Sequence, residues 1–574
     1  MRKFLLIISL VPFVIFAQDK EKDSIGTEEV NIVKPYTPTI KDAFKLKKTP
    51  KQGKDKIQEK KEVEYSINSV PVASTFTPSK GKAKSIALKH KEHVYQNFVQ
   101  VGFGTYSTPV LEAFVHTSTT RDNDLGLQLN YISSNGGIKD IVLDNSFADA
   151  IIGLFYKEQT RDFDWKLNGG YRFQKYNWYG LLFPSNFTQT QLDAMDVKQT
   201  YGNINIGGNF KYYESFFDGA KVDLNIFSDA YKSSEFHFNL SPKFLIPIVD
   251  ELIETDFRLE YISGKFDTNY LNTSDIKYGY YNLGVSPTFK VIRDDLKLDL
   301  GAKLVYSGAT ESSQESKFFI YPNLSGSYQL ILDVLSVYAG VTGDLHQHSY
   351  REFVNENPFV SPTLLVGRTN EAYNAKIGLK GRLASNISFN AYGQYKMEEG
   401  KAMFLLNSAP IAVTEVYQNN NSFGVVYDDV KTFSAFGELT IDASKELQVG
   451  GNAVFNTYNL KTFEKAWNLP NLEATVFANY TADTWFANAN LFFVGERKDY
   501  YVDNNAFPAL IANIITNKSY VDLNLKFGYQ FKKRLTFFAQ ANNVFGTNYE
   551  KFRSYKVQGI QFLAGIKYKF DLDY

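Results

Sequence analysis

Cysteine occurs nowhere in the 574 residues. The chain therefore forms no disulfide, carries no lipid-anchored cysteine and offers no thiolate to a metal ion. Long apolar runs are nearly as scarce. One stretch, Phe4 to Phe16, stands out, but it is shorter than the roughly 20 residues a helix needs to cross a bilayer. No later stretch approaches that length, so a helical membrane protein is excluded. Net charge is missing too: 62 basic side chains balance 62 acidic ones, and no basic helix is available to enter a nucleic-acid groove. There is no glycine-rich phosphate loop and no cofactor motif. No Ser/His/Asn set or Asp/His pair places a nucleophile or an activated water beside an oriented base, so nothing in the sequence indicates an enzyme.

What is present begins with a leader. Met1-Arg2-Lys3, the apolar run, and Ala17-Gln18 ahead of Asp19-Lys20-Glu21-Lys22 form a secretory signal peptide over residues 1–17, with cleavage expected after Ala17. The architecture is plainest at the other end. From Tyr520 to Phe531 the chain alternates without a miss, with Val521, Leu523, Leu525, Phe527, Tyr529 and Phe531 on one face and polar residues or glycine on the other. After a tight turn at Lys532-Lys533, Arg534 to Asn543 and then Gly559 to Phe570 repeat the pattern. A soluble sandwich also alternates. The aromatics decide against it, because Phe527, Tyr529, Phe531, Phe537, Tyr568 and Phe570 all fall at the same end of their strands. Rings at one level of an outward apolar band suit a membrane–water boundary, where an amphipathic ring keeps one wet edge. The abundance of Tyr and Phe beside a slightly polar mean hydropathy fits strands with one lipid face and one lumen face. The fold expected is all-β, a transmembrane antiparallel barrel in the cell outer membrane, surrounded by outer-membrane lipid.

Residues 18–96 differ in character, being Lys-rich, with prolines at 35, 38, 50, 71 and 78 and no sustained alternation. They are expected to form a short irregular periplasmic segment. Within them Glu28-Glu29-Val30-Asn31-Ile32-Val33 is an acidic, then β-branched stretch able to add as an edge strand to a partner's sheet, or else a plain linker. From Asn97 to Tyr574 strands alternate between short links, such as Thr160 to Asp162 and Arg293 to Asp295, and longer polar, aromatic loops, such as Tyr176 to Gln199 and Gln347 to Thr369. Short periplasmic turns and long external loops mark a bacterial barrel, in which the strand number is even. Parity requires Phe423 to Asp442 to be one long strand with Asp428-Asp429 above the apolar band, giving about 22 strands. The lumen of so wide a barrel is not filled by its own wall side chains.

Asn542-Asn543-Val544-Phe545-Gly546-Thr547-Asn548-Tyr549 resembles the Asn-Leu-Phe-Asp-x-x-Tyr ending of the penultimate strand in TonB-dependent outer-membrane receptors, in the form found in Bacteroidetes-type envelopes. Gly565, Tyr568 and Phe570 of the last strand look like the terminal signal read by the barrel-assembly machinery, with Leu563 in place of the usual polar residue and four residues following. The resemblance covers residues 97–574. It implies transport of a ligand such as a siderophore, glycan or peptide, and a TonB-box role for Glu28, Glu29, Val30, Asn31, Ile32 and Val33. The departure from the family is that residues 18–96 are too few for a complete plug. The alternative is therefore a plugless barrel serving as a structural subunit of an envelope assembly or secretion complex, sealed by other envelope proteins.

Among individual residues, Asp344, His346 and His348 alternate on one strand and face the lumen near its outer mouth. Such residues at i, i+2 and i+4 can converge on a divalent ion, or simply sit solvated. His116 and His237 point inward by the same parity. Loop residues such as Tyr500-Tyr501 and Phe404 to Asn407 suit stacking on a ligand or packing between loops equally well. Glu112, Asp299, Glu438 and Asp442 fall on the lumen face, where they would match the lysines of residues 18–96 if that segment entered the barrel as a weakly docked plug.

Overall fold

The computed structural model describes residues 94–572 apart from 119–121, 249–250, 312–314 and 504–510. The leader, residues 18–93 and with them Glu28 to Val33 lie outside the described residues. From Asn97 onward 22 strands form one antiparallel sheet in which each strand pairs with its neighbours in the chain. The sheet closes where the last strand, Gln561–Phe570, pairs with Leu535–Asn542 on one side and with Asn97–Gly104 on the other. Closure is what lets a sheet exist in lipid, because each unpaired backbone group in hydrocarbon costs several kcal/mol. At this seam Gly102 lies opposite Gly565, and the Phe538 ring covers both. A Cβ on Gly565 would stand 2.2 Å from the Val101 carbonyl oxygen and 2.5 Å from that ring. Among the described residues no helix is long and apolar enough to cross a membrane.

The pleat sorts the side chains as the alternation requires. Leu525, Phe527, Tyr529, Phe531, Phe537 and Tyr568 all project outward and are exposed on the outer surface. Tyr529 lies opposite both Trp485 and Phe537, and Trp485 stacks on Tyr480 with 4.4 Å between ring centroids. The girdle is thus continuous across neighbouring strands at the short-turn end. The opposite face is polar. Asn168, Asn203, Asn205 and Asn225 form a ladder of side-chain amides across three strands. Lys243 and Lys290 share Glu254 at 3.0 and 2.8 Å.

Turns and loops fall at opposite ends as expected. One strand boundary was hidden in the sequence: a strand ends at Ile248 and the next, paired with it, begins at Glu251. Apolar Ile246, Ile248 and Leu252 surround it without glycine, so composition does not mark it. Phe423–Asp442 is a single strand of 20 residues. Its upper part pairs with Lys401 to Leu406, making a two-stranded ribbon that rises beyond the barrel wall and is bridged at Phe423 to Val360. Asp428 and Asp429 sit on that rise. The Asp428 carboxylate accepts the backbone N–H groups of Thr462 and Phe463, and Asp429 accepts from Gly400 N–H at 3.0 Å and Lys461 at 2.8 Å.

Candidate functional site

The largest apolar core among the described residues is built from loops and strand ends at the outer mouth. Trp178, Tyr201, Tyr350, Val360, Leu364, Tyr417, Phe423 and Tyr555 are each almost fully buried there. The partners come from distant parts of the wall. The loop after Phe163–Asn177 brings Trp178 against Tyr417, at 5.6 Å, and Tyr179 against Tyr555, at 4.9 Å. The loop after Leu335–Gln347 brings Phe359 flat onto Tyr555 at 3.6 Å. Loops rooted on different sides of the barrel can meet in this way only by crossing the mouth, so they form a cap. Several polar groups inside the cap are paired: Asn421 donates to the Trp178 carbonyl at 3.0 Å, Tyr201 donates to the Pro358 carbonyl at 2.9 Å, and Tyr555 donates to the Asn421 carbonyl, while the Trp178 indole N–H is buried without a partner.

Helix α1 (Gln189–Ala194) lies in the first of these loops and helix α2 (Tyr350–Glu356) in the second. α2 starts at Ser349, whose hydroxyl accepts from Glu352 N–H at 3.0 Å, as an N-cap residue does. The buried Glu235 carboxylate of the strand Ser234–Ile248 accepts from Tyr350 and Arg351 N–H, a favourable place for negative charge. The Tyr350 hydroxyl donates to Asp229 at 2.8 Å. These contacts anchor α2 to a part of the wall remote from the strand that leads into it.

Beneath α2 the lumen opens into a cavity of 480 Å³ lined by charged groups, among them Arg258, Asp344, His346, Glu352, Lys396 and Glu398. Arg258 and Asp344 are shared with a second cavity of 670 Å³. His346 Nε2 lies 2.8 Å from Glu352 Oε1, and His348 Nδ1 lies 3.7 Å from Glu352 Oε2. On its other side His348 Nε2 is 2.7 Å from the Thr369 hydroxyl. Burial lowers the pKa of His348. Burial opposes ionisation of Glu352, but the two histidines outweigh it and hold its carboxyl well below the usual range.

The expected trio is therefore rearranged. His346 and His348 converge, but Asp344 turns to Arg258 at 3.0 Å and Lys303 at 2.9 Å, because two cations from nearby strands reach it first. Its place is taken by Glu352. Among the described residues His346, His348 and Glu352 are the one group whose donor atoms, all within 4.8 Å, could hold a metal ion. The sequence did contain a signal for the third member, since Ser349-Tyr350-Arg351-Glu352 is a capping-box pattern that starts a helix and sets Glu352 one turn beyond His348. The other inward histidines have carboxylate partners: His116 lies 2.8 Å from Asp124 and His237 2.8 Å from Glu260. Phe404 and Leu406 are buried in the cap, and Tyr501 packs against it, so packing accounts for them. In the Asn542 to Tyr549 motif, Asn543 adopts φ 47°. Its side chain accepts Thr547 N–H at 3.1 Å and donates to the carbonyls of Thr547 and Gln558, both at 2.9 Å. Tyr549 stacks on Tyr520 at 3.9 Å and donates to Asp522 at 2.7 Å.

No family model and no curated protein matches the sequence. Solved structures do match. The pyoverdine outer-membrane receptor FpvA of Pseudomonas aeruginosa PAO1 is 14% identical, with 84% of this chain and 79% of that one covered, at a TM-score of 0.61. The ferric enterobactin receptor PfeA of Pseudomonas aeruginosa is 11% identical over 84% and 81%, at 0.59. The FrpB iron transporter of Neisseria meningitidis is 10% identical over 84% and 82%, at 0.63. At these identities the likeness is one of architecture, and the chain has the 22-stranded barrel fold of the TonB-dependent outer-membrane receptors.

Proposed function

We propose that this chain is an outer-membrane barrel that gates uptake of a ligand of siderophore, glycan or peptide type. The observation that carries the reading is the loop-built cap with a charged lumen beneath it. A barrel that served only to hold partners has no need of an aromatic core of its own across the outer mouth, whereas a gated channel does. A further concavity of 520 Å³ lies among the loops, lined in part by Tyr270, Leu271, Leu365, Asn407 and Tyr500. Its mix of aromatic, aliphatic and amide groups suits first contact with an amphipathic ligand. Fold likeness to receptors supports the reading, as does the TonB-box character of Glu28 to Val33.

Deleting residues 28–33 tests it. Uptake of the ligand, and capture of the barrel on immobilised TonB, are expected to fall to background while binding at the cell surface persists. Unchanged uptake would remove TonB from the mechanism. Purification in mild detergent separates this reading from the scaffold, for a stoichiometric envelope partner would favour the latter. In the same framework Gly565, Tyr568 and Phe570 serve insertion by the barrel-assembly machinery, and they lie on the strand that closes the seam.

A further inference from the structure

We propose that His346, His348 and Glu352 bind a divalent transition-metal ion of the zinc type, tying α2 to the barrel wall on the lumen side of the cap. The argument starts from the protons. The Thr369 hydroxyl donates to the Gly400 carbonyl at 2.8 Å, so toward His348 Nε2, 2.7 Å away, its oxygen accepts. His348 Nε2–H therefore donates to Thr369, which turns Nδ1 toward Glu352 Oε2, 3.7 Å away. That separation is too long for a direct hydrogen bond and close to the spacing of two ligands on one ion. The His346–Glu352 contact employs Oε1 and leaves Oε2 facing His348.

The remaining geometry suits an ion. Ligand bonds of about 2.0–2.2 Å in a tetrahedral site place donors about 3.4 Å apart, and the two measured separations, 2.8 and 3.7 Å, bracket that value. All three donors already lie within 4.8 Å of one another. Glu352 is held in the first turn of α2 by the Ser349 cap and by Glu235, and His348 by Thr369, the kind of outer partner that fixes a metal-binding ring. Three protein donors leave a fourth position open toward the cavity, as in zinc sites that exchange a ligand.

The test uses the full-length protein in detergent, stripped with chelator and desalted, then titrated with Co(II) and with Zn(II) in competition. One saturable equivalent with the visible absorption of four-coordinate Co(II) is expected. H348A and E352Q should each weaken binding at least tenfold, while H90A/H93A leaves it unchanged. Heat-modifiable migration in gels confirms the folded barrel in each variant. If H348A does not fold, E352Q, which keeps size and a hydrogen-bond acceptor, still decides. No saturable binding by the parent, binding that survives in folded E352Q, or loss of binding in H90A/H93A would each overturn the assignment.

Discussion

Tyr555 is the residue on which the cap depends most. It touches three loops besides its own: its ring lies on Phe359 at 3.6 Å and 17°, meets the edge of Tyr179 at 4.9 Å, and its hydroxyl donates to the carbonyl of Asn421. It also fills the space above Gly180, where a Cβ would come within 2.6 Å of the ring. Removing it in Y555A deletes a fully buried aromatic side chain, which costs roughly 3–5 kcal/mol, of which stacking supplies about 0.5–1.5. If the loops open as a unit, a loss of about 4 kcal/mol raises the open fraction by about three orders of magnitude, at 1.4 kcal/mol per tenfold. Y555F keeps the ring and loses the hydroxyl's hydrogen bond, costing about 1 kcal/mol. Hydrogen exchange reads this directly, through amides that bond only within the cap: Trp178 N–H to Val197 O, Asn357 N–H to Phe353 O and Asn407 N–H to Ser422 O. Protection of all three should fall together, steeply in Y555A and about tenfold or less in Y555F, with mid-strand amides unaffected. Equal protection in Y555A and the parent, or loss confined to Asn407, would refute a single cooperative cap.

Two further perturbations probe its surroundings. Asp499, buried in the small hairpin formed by Arg497–Asp503 and Ile511–Asn517, has its pKa pushed up to about 6 by burial. An acid raised in the folded state contributes stability below its unfolded pKa of about 3.8 and loses it as pH rises through the folded value, here an effect of about 3 kcal/mol. Hairpin protection, corrected for intrinsic exchange, should therefore be greater at pH 5 than at pH 8, and D499N should flatten the dependence; a parent hairpin without pH dependence contradicts the reading. At Asn543, both N543A and N543G lose the side-chain bonds that pin the loop, but only alanine also strains the positive φ, by about 1 kcal/mol. The barrel's unfolding midpoint in detergent should fall in both and fall further in N543A, and equal midpoints would show that φ carries no weight.

The barrel was legible in the sequence because its signals are local and periodic. Val521 to Phe531 announces its face every second residue, and the even strand number forces Asp428-Asp429 into a continuous strand, where they are found. The cap was not legible for the converse reason. Trp178, Phe359, Tyr417 and Tyr555 lie in loops without period, far apart in the chain, and each reads equally well as a ligand contact. Only the closed barrel brings their loops together. The histidine site falls between these cases. Parity placed His346 and His348 correctly on the lumen face, but the choice of Asp344 assumed a straight strand whose residues serve one another. Arg258, with three strands between, and Lys303 claimed that carboxylate instead.

The cap and the lumen are held by different forces, and this limits how one can act on the other. Aromatic packing and buried hydrogen bonds are indifferent to ionic strength. The lumen pairs, such as Lys243 with Glu254 and Lys396 with Glu371, are partly solvated, contribute about 0–1 kcal/mol each and are screened over about 8 Å. Rearranging one such pair does not release enough energy to open an aromatic core. A ligand acting from the lumen therefore needs a group that belongs to both layers. α2 supplies it: Tyr350, Phe353 and Val354 are buried in the cap, while Glu352 on the same helix reaches down to His346 and His348. A group that competed for Glu352 would therefore act on the helix whose apolar side closes the mouth.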